Sequence, residues 1–270
     1  MRKKYQNASW GLVPTMGYLH EGHMSLVELA RSGNEKVGVT IFVNPTQFAP
    51  EEDLDSYPRD LERDLALLRK AGVDLVLVPD NNEMYPPGFQ TSVELAQITK
   101  PLEGNSRPTH FSGVATIVAK LFNIFQPSAA YFGQKDVQQT IVIKKMVRDL
   151  NFDLQIIIGP TVRESDGLAL SSRNAYLDAE ERAAATVLYR ALTAAEQAVL
   201  EGQTDGDELR RLMRKIIEAE PLAMLDYISA SDPNTMLELD TVGRDVLLST
   251  AVFFGRTRLI DNILVTVQTQ

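Results

Sequence analysis

Short runs of β-branched and apolar residues alternate with longer segments of helical period from residue 10 to about residue 160. This alternation is typical of βα units and predicts a parallel sheet covered by helices. Leu61, Leu65 and Leu68 share one face of a helix that has Pro58 in its first turn and stops at Gly72. The predicted strands are residues 10–13, 36–43, 74–78, 129–132 and 153–158, and the predicted helices are residues 24–30, 58–71, 112–125 and 136–150.

The pattern changes after about residue 161. Asp178 and Glu181 form an acidic capping box, which predicts the start of a long alanine-rich helix that runs to about Gly202. A second helix is predicted over residues 207–219, and strands over residues 225–230, 246–254 and 258–265, with a turn at residues 255–257. We therefore expect an α/β domain over residues 1–161 and a smaller α+β domain over residues 162–270, joined by a short hinge near Val162.

The composition narrows the function. The chain of 270 residues is 44% hydrophobic and 23% charged, as in soluble globular proteins. Its net charge of -9 argues against general nucleic-acid binding but is compatible with a small anion in a local pocket. The absence of cysteine excludes disulfides, thiolate metal sites and cysteine nucleophiles, and fits a reducing cytoplasm.

Neither export nor membrane insertion is expected. The basic start at residues 1–4 resembles the first part of a signal peptide, but Pro14, Thr15, His20 and Glu21 interrupt the apolar stretch that follows. No window reaches the roughly 18 uninterrupted apolar residues of a membrane span. We expect a cytoplasmic protein with no nucleic-acid or membrane partner.

Two histidines follow the first predicted strand, within residues 14–23 (PTMGYLHEGH). Ligands of parallel α/β sheets bind at the carboxyl ends of the strands, so His20 and His23 lie where a nucleotide binds. Across a helix start, imidazoles three residues apart can point to one side, where backbone N–H groups also favour an anion. They can donate hydrogen bonds to a phosphate that gains charge. Two alternatives stay open, namely a zinc site that includes His110, and solvated loop histidines.

Three further segments carry candidate chemistry. In residues 132–139, Gly133 permits close backbone approach, Lys135 offers a charge for phosphate, and Asp136 can cap the next helix or help hold a metal. Residues 166–174 offer two hydroxyls and a guanidinium for pyrophosphate, or form an ordinary polar turn. In residues 42–48, the uncharged amide of Gln47 can position a carboxylate without neutralising it. Gln139 can complete that pair, although either amide can equally stabilise its own loop.

Together these segments, with residues 57–59 and 107–111, resemble the motifs of the pantothenate synthetase family within the HxGH nucleotidylyltransferase superfamily. The resemblance spans nearly the whole chain. It implies a Rossmann-like parallel-sheet domain, a smaller α+β C-terminal lid domain and usually a homodimer. It also implies that ATP and Mg²⁺ convert pantoate into pantoyl adenylate and pyrophosphate. β-Alanine then attacks the adenylate, which gives pantothenate and AMP.

The resemblance also implies residue roles. His23 would donate a proton, His20 and Lys135 would stabilise charge, and Arg173 would act from a lid that excludes water. No side chain is assigned to a metal. The implied ATP contacts are Met16, Gly17, Tyr18, Leu19, His20, Glu21, Gly22, His23, Gly133, Gln134, Lys135, Asp136, Val162, Leu170, Ser171, Ser172 and Arg173. The implied substrate contacts are Gln47, Gln139, Asn44, Tyr57, Arg107 and His110.

The sequence departs from the family pattern in three places. Nine residues precede the first predicted strand, where the family usually has a further strand and helix, so we expect a truncated start to affect dimerisation or stability rather than chemistry. Gln134 replaces a common glutamate and Leu170 a common methionine, and neither change is expected to abolish turnover. Two other functions stay open, namely a nucleotidylyltransferase acting on a phosphate ester, and a non-catalytic nucleotide-binding regulator.

Overall fold

The computed structural model describes residues 8–49 and 52–267. The basic start at residues 1–4, and with it the interpretation that no signal peptide is present, lies outside the described residues. The chain divides into two compact units, Met1–Thr161 (unit 1) and Val162–Gln270 (unit 2). Within the described ranges, none of the helices combines the length and the apolar character that a bilayer crossing requires.

Unit 1 contains one parallel sheet, which confirms the predicted α/β class. The strand order is β3-β2-β1-β4-β5. The chain therefore adds β2 and β3 on one side of β1, and then β4 and β5 on the other side. The crevice outside the carboxyl ends of β1 and β4 is therefore the switch point at which ligands of such sheets bind. The strands are β1 (Trp10–Thr15), β2 (Lys36–Ile41), β3 (Leu75–Leu77), β4 (Ala129–Gly133) and β5 (Gln155–Gly159).

Apolar side chains cover both faces of this sheet, as a parallel sheet requires. Leu12 of β1 is buried in one cluster with residues of α5, whereas the next residue, Val13, is buried in a second cluster with residues of α1. The alternation along β1 thus places one helix on each face. The helices of unit 1 are α1 (Glu21–Gly33), α2 (Leu61–Lys70), α3 (Asn81–Met84), α4 (Glu103–Ser106), α5 (His110–Phe125) and α6 (Val137–Asp149).

The start of α2 differs from the prediction. The helix begins at Leu61, so Pro58 does not lie in its first turn. The carboxylate of Asp60 caps the helix by accepting a hydrogen bond of 3.1 Å from the backbone N–H of Arg63. Just before it, the guanidinium of Arg59 donates to the carbonyl of Tyr57 at 2.9 Å and holds the chain in a turn. A side-chain cap two residues beyond the proline, at Asp60, therefore sets the boundary.

Unit 2 combines three helices with an antiparallel sheet of strand order β6-β7-β8. Its elements are α7 (Ala179–Ala184), α8 (Val187–Leu200), α9 (Gly206–Glu218), β6 (Ala223–Ser231), β7 (Val246–Phe254) and β8 (Thr257–Val265). This sheet confirms the predicted α+β composition. The turn before β8 is shorter than predicted, because Thr257 already pairs with Phe254 in the sheet.

The long helix predicted from the capping box is interrupted. The capping box between Asp178 and Glu181 is confirmed, but α7 ends at Ala184 and α8 begins at Val187. At the break the hydroxyl of Thr186 donates a 2.9 Å hydrogen bond to the carbonyl of Ala183. Such a side-chain bond competes with the helical hydrogen-bond ladder, which accounts for the interruption.

Candidate active site

The segment that connects β1 to α1 makes a sharp turn, which we call the histidine turn (residues 16–23). Gly17 and Tyr18 both have positive φ angles, of 85° and 51°. A Cβ atom at Gly17 would lie 3.0 Å from the side chain of Ile41, so glycine is required both for its conformation and for the space it leaves. The reversal brings the chain directly into α1, which begins at Glu21 rather than at residue 24 as predicted.

The two imidazoles cap α1 through the same ring atom. The Nδ1 atom of His20 accepts a hydrogen bond from the N–H of Gly22 at 3.2 Å, and the Nδ1 atom of His23 accepts from the N–H of His20 at 3.3 Å. A neutral imidazole that accepts at Nδ1 carries its proton on Nε2. Both rings, whose centroids are 4.1 Å apart, therefore have an Nε2–H donor that the cap does not use.

Burial keeps both histidines neutral. It lowers the pKa of His20 from 6.5 to about 4, and the charge of Lys135 lowers this pKa further. Burial also lowers the pKa of His23 to about 3, with a smaller effect of the adjacent His20. Since both rings are partly buried and take part in the capping box of α1, the interpretation as solvated loop histidines is wrong. The charge of Lys135 acts on both rings, so Lys135 lies in the same region as the two histidines, while their shared role stays a prediction.

Lys135 and Asp136 lie in a single 3-10 turn, Gln134–Asp136, between β4 and α6. Lys135 Nζ is 3.8 Å from the carboxylate of Asp136, and the side chain of Lys135 is 20% exposed. Asp136 occupies the N-cap position of α6, but within the described part of the chain its side chain makes no capping hydrogen bond. The capping role considered for Asp136 is therefore wrong, and its carboxylate lies beside the lysine instead.

One buried carboxylate binds the backbone of the histidine turn. Asp64 of α2, 1% exposed, accepts hydrogen bonds from the N–H groups of Tyr18 at 2.7 Å and Leu19 at 2.8 Å. The sequence analysis missed Asp64. A signal was present, since Asp64 is three residues after Leu61 and four before Leu68 and therefore shares their apolar face. A carboxylate on such a face needs partners in the protein interior.

The amides of the histidine turn are already used within the protein. Tyr18 and Leu19 donate to Asp64, His20 donates to His23, and Gly22 donates to His20. The expectation that backbone N–H groups here bind an anion is wrong for these four amides. Side chains remain, so the Nε2–H groups of the two histidines and the ammonium of Lys135 are the donors that suit a phosphate.

A second connection follows the neighbouring strand β2, and we call it the Gln47 loop (residues 42–48). The carbonyl of Gln47 accepts hydrogen bonds from Arg107 Nη2 at 3.1 Å and from His110 Nδ1 at 3.0 Å. Since Nδ1 of His110 donates, its Nε2 accepts from Arg107, 3.3 Å away. Burial lowers the pKa of His110 to about 4, which agrees with this neutral form. Both ring nitrogens are thus used inside the protein.

The zinc alternative does not fit this geometry. His110 binds the carbonyl of Gln47 through Nδ1 and Arg107 through Nε2, whereas His20 and His23 cap α1. Residues 8–49 and 52–267 contain no group of three or more histidines or carboxylates that could hold a metal ion. The three histidines of the sequence therefore act in two different places.

Arg107 completes the fixation of the Gln47 loop. Its guanidinium forms two hydrogen bonds with the carboxylate of Glu52, at 2.7 and 2.6 Å. Asn44, 1% exposed, donates to the carbonyl of Gly113 and accepts from the hydroxyls of Tyr85 and Thr46. The structure thus gives Asn44, Arg107 and His110 protein partners that position Gln47.

The remaining candidate substrate residues differ in environment. Tyr57 is buried and packs edge-on against Phe48, with ring centroids 5.9 Å apart. Gln139 is partly buried in the first turn of α6. Its neighbour Gln138 is buried and uses its side-chain amide to donate to the carbonyls of Ile98 and Pro101. Of the two consecutive glutamines, Gln138 therefore has the structural role, and Gln139 stays the candidate for substrate binding.

The candidate residues of unit 2 lie on a short hairpin. The N–H of Leu170 donates to the carbonyl of Val162 at 3.0 Å, and Gly167 turns the chain with a φ angle of 93°. The hydroxyl of Ser171 then accepts from the N–H of Arg173 at 3.3 Å and opens the 3-10 helix Ser172–Tyr176. The assignment of ATP contacts to Val162 and residues 170–173 stays a prediction.

The family is decided by comparison with known proteins. The sequence model of the family described as pantoate-beta-alanine ligase matches residues 1–264. The chain belongs to the pantoate-beta-alanine ligase family. Among curated relatives of this ligase family, the pantothenate synthetase of Herpetosiphon aurantiacus is 57% identical over 260 residues, which cover 96% of this chain and 94% of the relative. That of a Roseiflexus species is 60% identical over 252 residues, covering 93% and 91%.

Solved structures of the same ligase family share the fold. The crystal structure of pantothenate synthetase from Thermus thermophilus superposes with a TM-score of 0.92 at 50% identity, covering 94% of this chain and 92% of that one. A pantoate-beta-alanine ligase from Francisella tularensis, complexed with beta-gamma ATP and beta-alanine, has a TM-score of 0.78 at 37% identity, covering 96% and 90%. Because the chain belongs to this ligase family, we reject the two alternative functions, namely a nucleotidylyltransferase acting on a phosphate ester and a non-catalytic nucleotide-binding regulator.

Proposed function

We propose that this protein condenses pantoate with β-alanine at the expense of ATP, through pantoyl adenylate, and releases AMP and pyrophosphate. One observation carries the proposal beyond family membership. Two neutral imidazoles, whose Nε2–H groups are not used by the cap of α1, lie within reach of the charge of Lys135 at the switch point of the sheet. Two imidazole donors that the helix cap holds in place, together with a nearby ammonium, suit a phosphoryl group that gains negative charge during attack.

In the first step, a carboxylate oxygen of pantoate attacks the α-phosphorus of ATP in line with the departing pyrophosphate. A bond forms between that oxygen and phosphorus, while the bond from phosphorus to the bridging oxygen breaks. His20, His23 and Lys135 donate to the phosphoryl oxygens as charge accumulates there. Because the histidines are neutral, they donate hydrogen bonds and do not transfer a proton at this stage.

Pantoate needs to be positioned without losing its nucleophilicity. The side-chain amides of Gln47 and Gln139 carry no charge, so they can hold hydroxyl or carboxylate oxygens without forming an ion pair. Gln47 is 8% exposed, and its backbone is fixed by Arg107 and His110. A fixed amide holds the attacking oxygen near the phosphorus, which raises the effective concentration of the nucleophile.

In the second step, the amine of β-alanine attacks the carbonyl carbon of pantoyl adenylate. The bond between this carbon and the oxygen on phosphorus breaks, AMP leaves with that oxygen, and the amine loses a proton. We assign the binding of the pyrophosphate that leaves in the first step to Ser171, Ser172 and Arg173 of unit 2. Mg²⁺ enters with ATP as part of the substrate.

Oxygen labelling tests the reaction. Pantoate labelled with ¹⁸O in its carboxylate is incubated with the protein, ATP, Mg²⁺ and β-alanine, and the products are analysed by mass spectrometry. We expect one labelled oxygen in AMP, and AMP release that requires both pantoate and β-alanine. Label in inorganic phosphate, or AMP formed without pantoate, would contradict the adenylate. Pyrophosphate release without AMP in the complete mixture would indicate a nucleotidyl transfer that stops after one step.

We further propose that the protein works in the cytoplasm as a homodimer. The absence of cysteine agrees with a reducing compartment. Light scattering coupled to size-exclusion chromatography should give twice the chain mass of 30.0 kDa, and a mass of one chain would contradict the dimer. Cell fractionation should recover the protein with cytoplasmic markers.

A further inference from the structure

We propose that Asp64 is a positioning residue for adenylate formation, because its carboxylate fixes the backbone turn that places His20 and His23. This inference rests on the proposed function for its catalytic consequence. Its structural content rests on contacts of the described residues alone. Asp64 belongs to α2, so it is distant in sequence from the turn that it binds.

The contact uses both oxygens of one carboxylate. Asp64 Oδ2 accepts from Tyr18 N at 2.7 Å and Oδ1 accepts from Leu19 N at 2.8 Å. Two consecutive amides can point at one carboxylate because Gly17 and Tyr18 adopt positive φ angles. Positive φ is unfavourable for tyrosine, so a compensating interaction is needed to hold this conformation. Hydrogen bonds to a buried carboxylate are strong enough to supply it.

The position of Asp64 links this contact to the histidines. Leu19 directly precedes His20, whose N–H donates to His23 Nδ1. A change in the backbone at residues 18–19 therefore alters the orientation of the His20 amide and of both rings. A displacement of about 1 Å at reacting groups can lower a rate by about 100-fold. Asp64 thus acts on the phosphoryl group through the histidines and without touching it.

Arg63 explains how a carboxylate is tolerated close to a site for a polyanion. Its guanidinium lies 3.9 Å from Asp64 Oδ1 and 5.3 Å from the ring centroid of Tyr18. The cation offsets the negative charge of Asp64 and covers the outside of the turn. The side chain of Arg63 is 46% exposed, so solvent screens this charge more than that of the buried carboxylate.

The same helix offers a matched control. Asp60 accepts one backbone N–H, that of Arg63, with one oxygen, whereas Asp64 accepts two. Asparagine has one acceptor oxygen and a donor NH₂ group, so it can replace Asp60 as a cap but cannot satisfy both amides bound to Asp64. We compare Asp64→Asn with Asp60→Asn, which is the same chemical change four positions earlier on α2.

Three measurements test the inference. In single-turnover assays we expect Asp64→Asn to slow adenylate formation about 100-fold while the Kd for ATP, measured by calorimetry, rises less than about tenfold. Asp60→Asn should stay within about twofold of the wild-type protein in both quantities. Equal loss in both variants, or a wild-type rate in Asp64→Asn, would overturn the positioning role.

Histidine titration followed by NMR supplies a readout that does not depend on turnover. The chain has three histidines, and His110 serves as the internal reference. In Asp64→Asn the pKa values of His20 and His23 should rise toward 6.5, because loosening the turn exposes both rings, while that of His110 stays at about 4. Unchanged values for His20 and His23 would overturn the inference. A rise in all three would indicate general unfolding and would equally count against it.

If Asp64→Asn does not fold, amide hydrogen exchange in the wild-type protein tests whether Asp64 holds the backbone of residues 18 and 19. The amides of Tyr18 and Leu19 should be protected, although they lie in a turn outside the helices and strands. Exchange as fast as that of unstructured peptides would overturn the inference. A protein that forms no adenylate at all would contradict the proposed function, while exchange and titration would still decide the role of Asp64.

Discussion

The histidine turn and the Gln47 loop follow neighbouring strands, but groups of opposite charge hold their backbones. In the histidine turn a buried carboxylate, Asp64, binds backbone N–H groups. In the Gln47 loop a guanidinium and an imidazole, those of Arg107 and His110, bind a backbone carbonyl. The first arrangement uses amide donors and leaves the imidazole donors for a phosphate. The second uses an amide carbonyl and leaves a neutral side-chain amide for a carboxylic acid.

This difference matches the partner proposed for each segment. A triphosphate needs positive or neutral donors, whereas an attacking carboxylate needs neutral contacts that do not quench it. In both segments a charged side chain binds the backbone behind the functional group rather than the substrate. Damage to the two segments should therefore affect different substrates.

Removing a proposed phosphate donor, either in the histidine turn or at Lys135, should have the largest effect. We expect His23→Ala and Lys135→Ala each to slow adenylate formation by about 100- to 1,000-fold, because a donor to the transition state is lost. Pyrophosphate release in a single turnover measures this rate. Lys145→Ala is the control for Lys135, since Lys145 lies on α6 and pairs with Asp149 at the surface. Near-normal turnover in either test variant would remove that residue from the mechanism.

Releasing the Gln47 loop should affect pantoate instead. Arg107→Gln removes the guanidinium that binds the carboxylate of Glu52 and the carbonyl of Gln47, so we expect the KM for pantoate to rise about 10- to 100-fold. The KM for ATP should stay within about twofold. Arg148→Gln serves as the control, because the side chain of Arg148 is 74% exposed and pairs with Asp149. An equal rise in both KM values would contradict the division of roles between the segments.

The two histidines of the histidine turn, and His110, which binds the Gln47 loop, should contribute to the acid sensitivity of folding. His20, His23 and His110 have native pKa values of about 4, about 3 and about 4, below the ordinary 6.5. As the pH falls below 6.5 the unfolded chain takes up protons that the native state cannot. Stability is therefore full above pH 6.5 and is lost toward pH 4, by about 1.4 kcal/mol per pH unit for each histidine.

Urea unfolding between pH 4.5 and 7.5 measures this slope. His23→Gln in the histidine turn and His110→Gln beside the Gln47 loop should each reduce this slope by about one histidine's share. Above pH 7 the variants should show no change in slope relative to the wild-type protein. A variant that keeps the full slope below pH 6.5 would mean that its histidine is not buried in the neutral form.

The smallest effect is expected from a hydroxyl behind the Gln47 loop. Tyr85 donates a 2.8 Å hydrogen bond to Asn44 Oδ1, and burial raises the pKa of Tyr85, so its hydroxyl keeps its proton. Tyr85→Phe should lower the free energy of unfolding by about 1 kcal/mol and raise the KM for pantoate by about two- to fivefold. Tyr189→Phe in unit 2 should leave that KM unchanged, and a matching rise there would argue against a local effect.

Much of the fold of unit 1 could be predicted because its strands are apolar runs and its helices have a clear period. The capping box at Asp178 and Glu181 was also visible, since it depends on two residues three positions apart. The break at Thr186 was not, because threonine occurs within helices, and only the observed bond to Ala183 marks the interruption.

The candidate site was predicted only in part, again because the sequence shows local features but not contacts between distant residues. His20, His23 and Lys135 were identified from their local setting after strands, and in the structure the two rings adjoin each other and are within reach of the charge of Lys135. Arg107 and His110 were predicted to contact substrate, which stays a prediction, and the structure shows that both bind the carbonyl of Gln47. A charged side chain suits a substrate and a buried backbone group equally well, so the residue type alone does not distinguish these roles.

The sequence by itself determined the local elements, the glycine-dependent turn after the first strand and the family to which the chain belongs. These properties depend on residues close together in the chain or on motifs that stand in order. Only the tertiary structure decided the strand order that brings the segments after β1 and β4 to one crevice, and the pairing of Asp64 with two amides far from it in sequence. Contacts of this kind are set by how elements pack, and packing is a property of the whole chain rather than of any one segment of it.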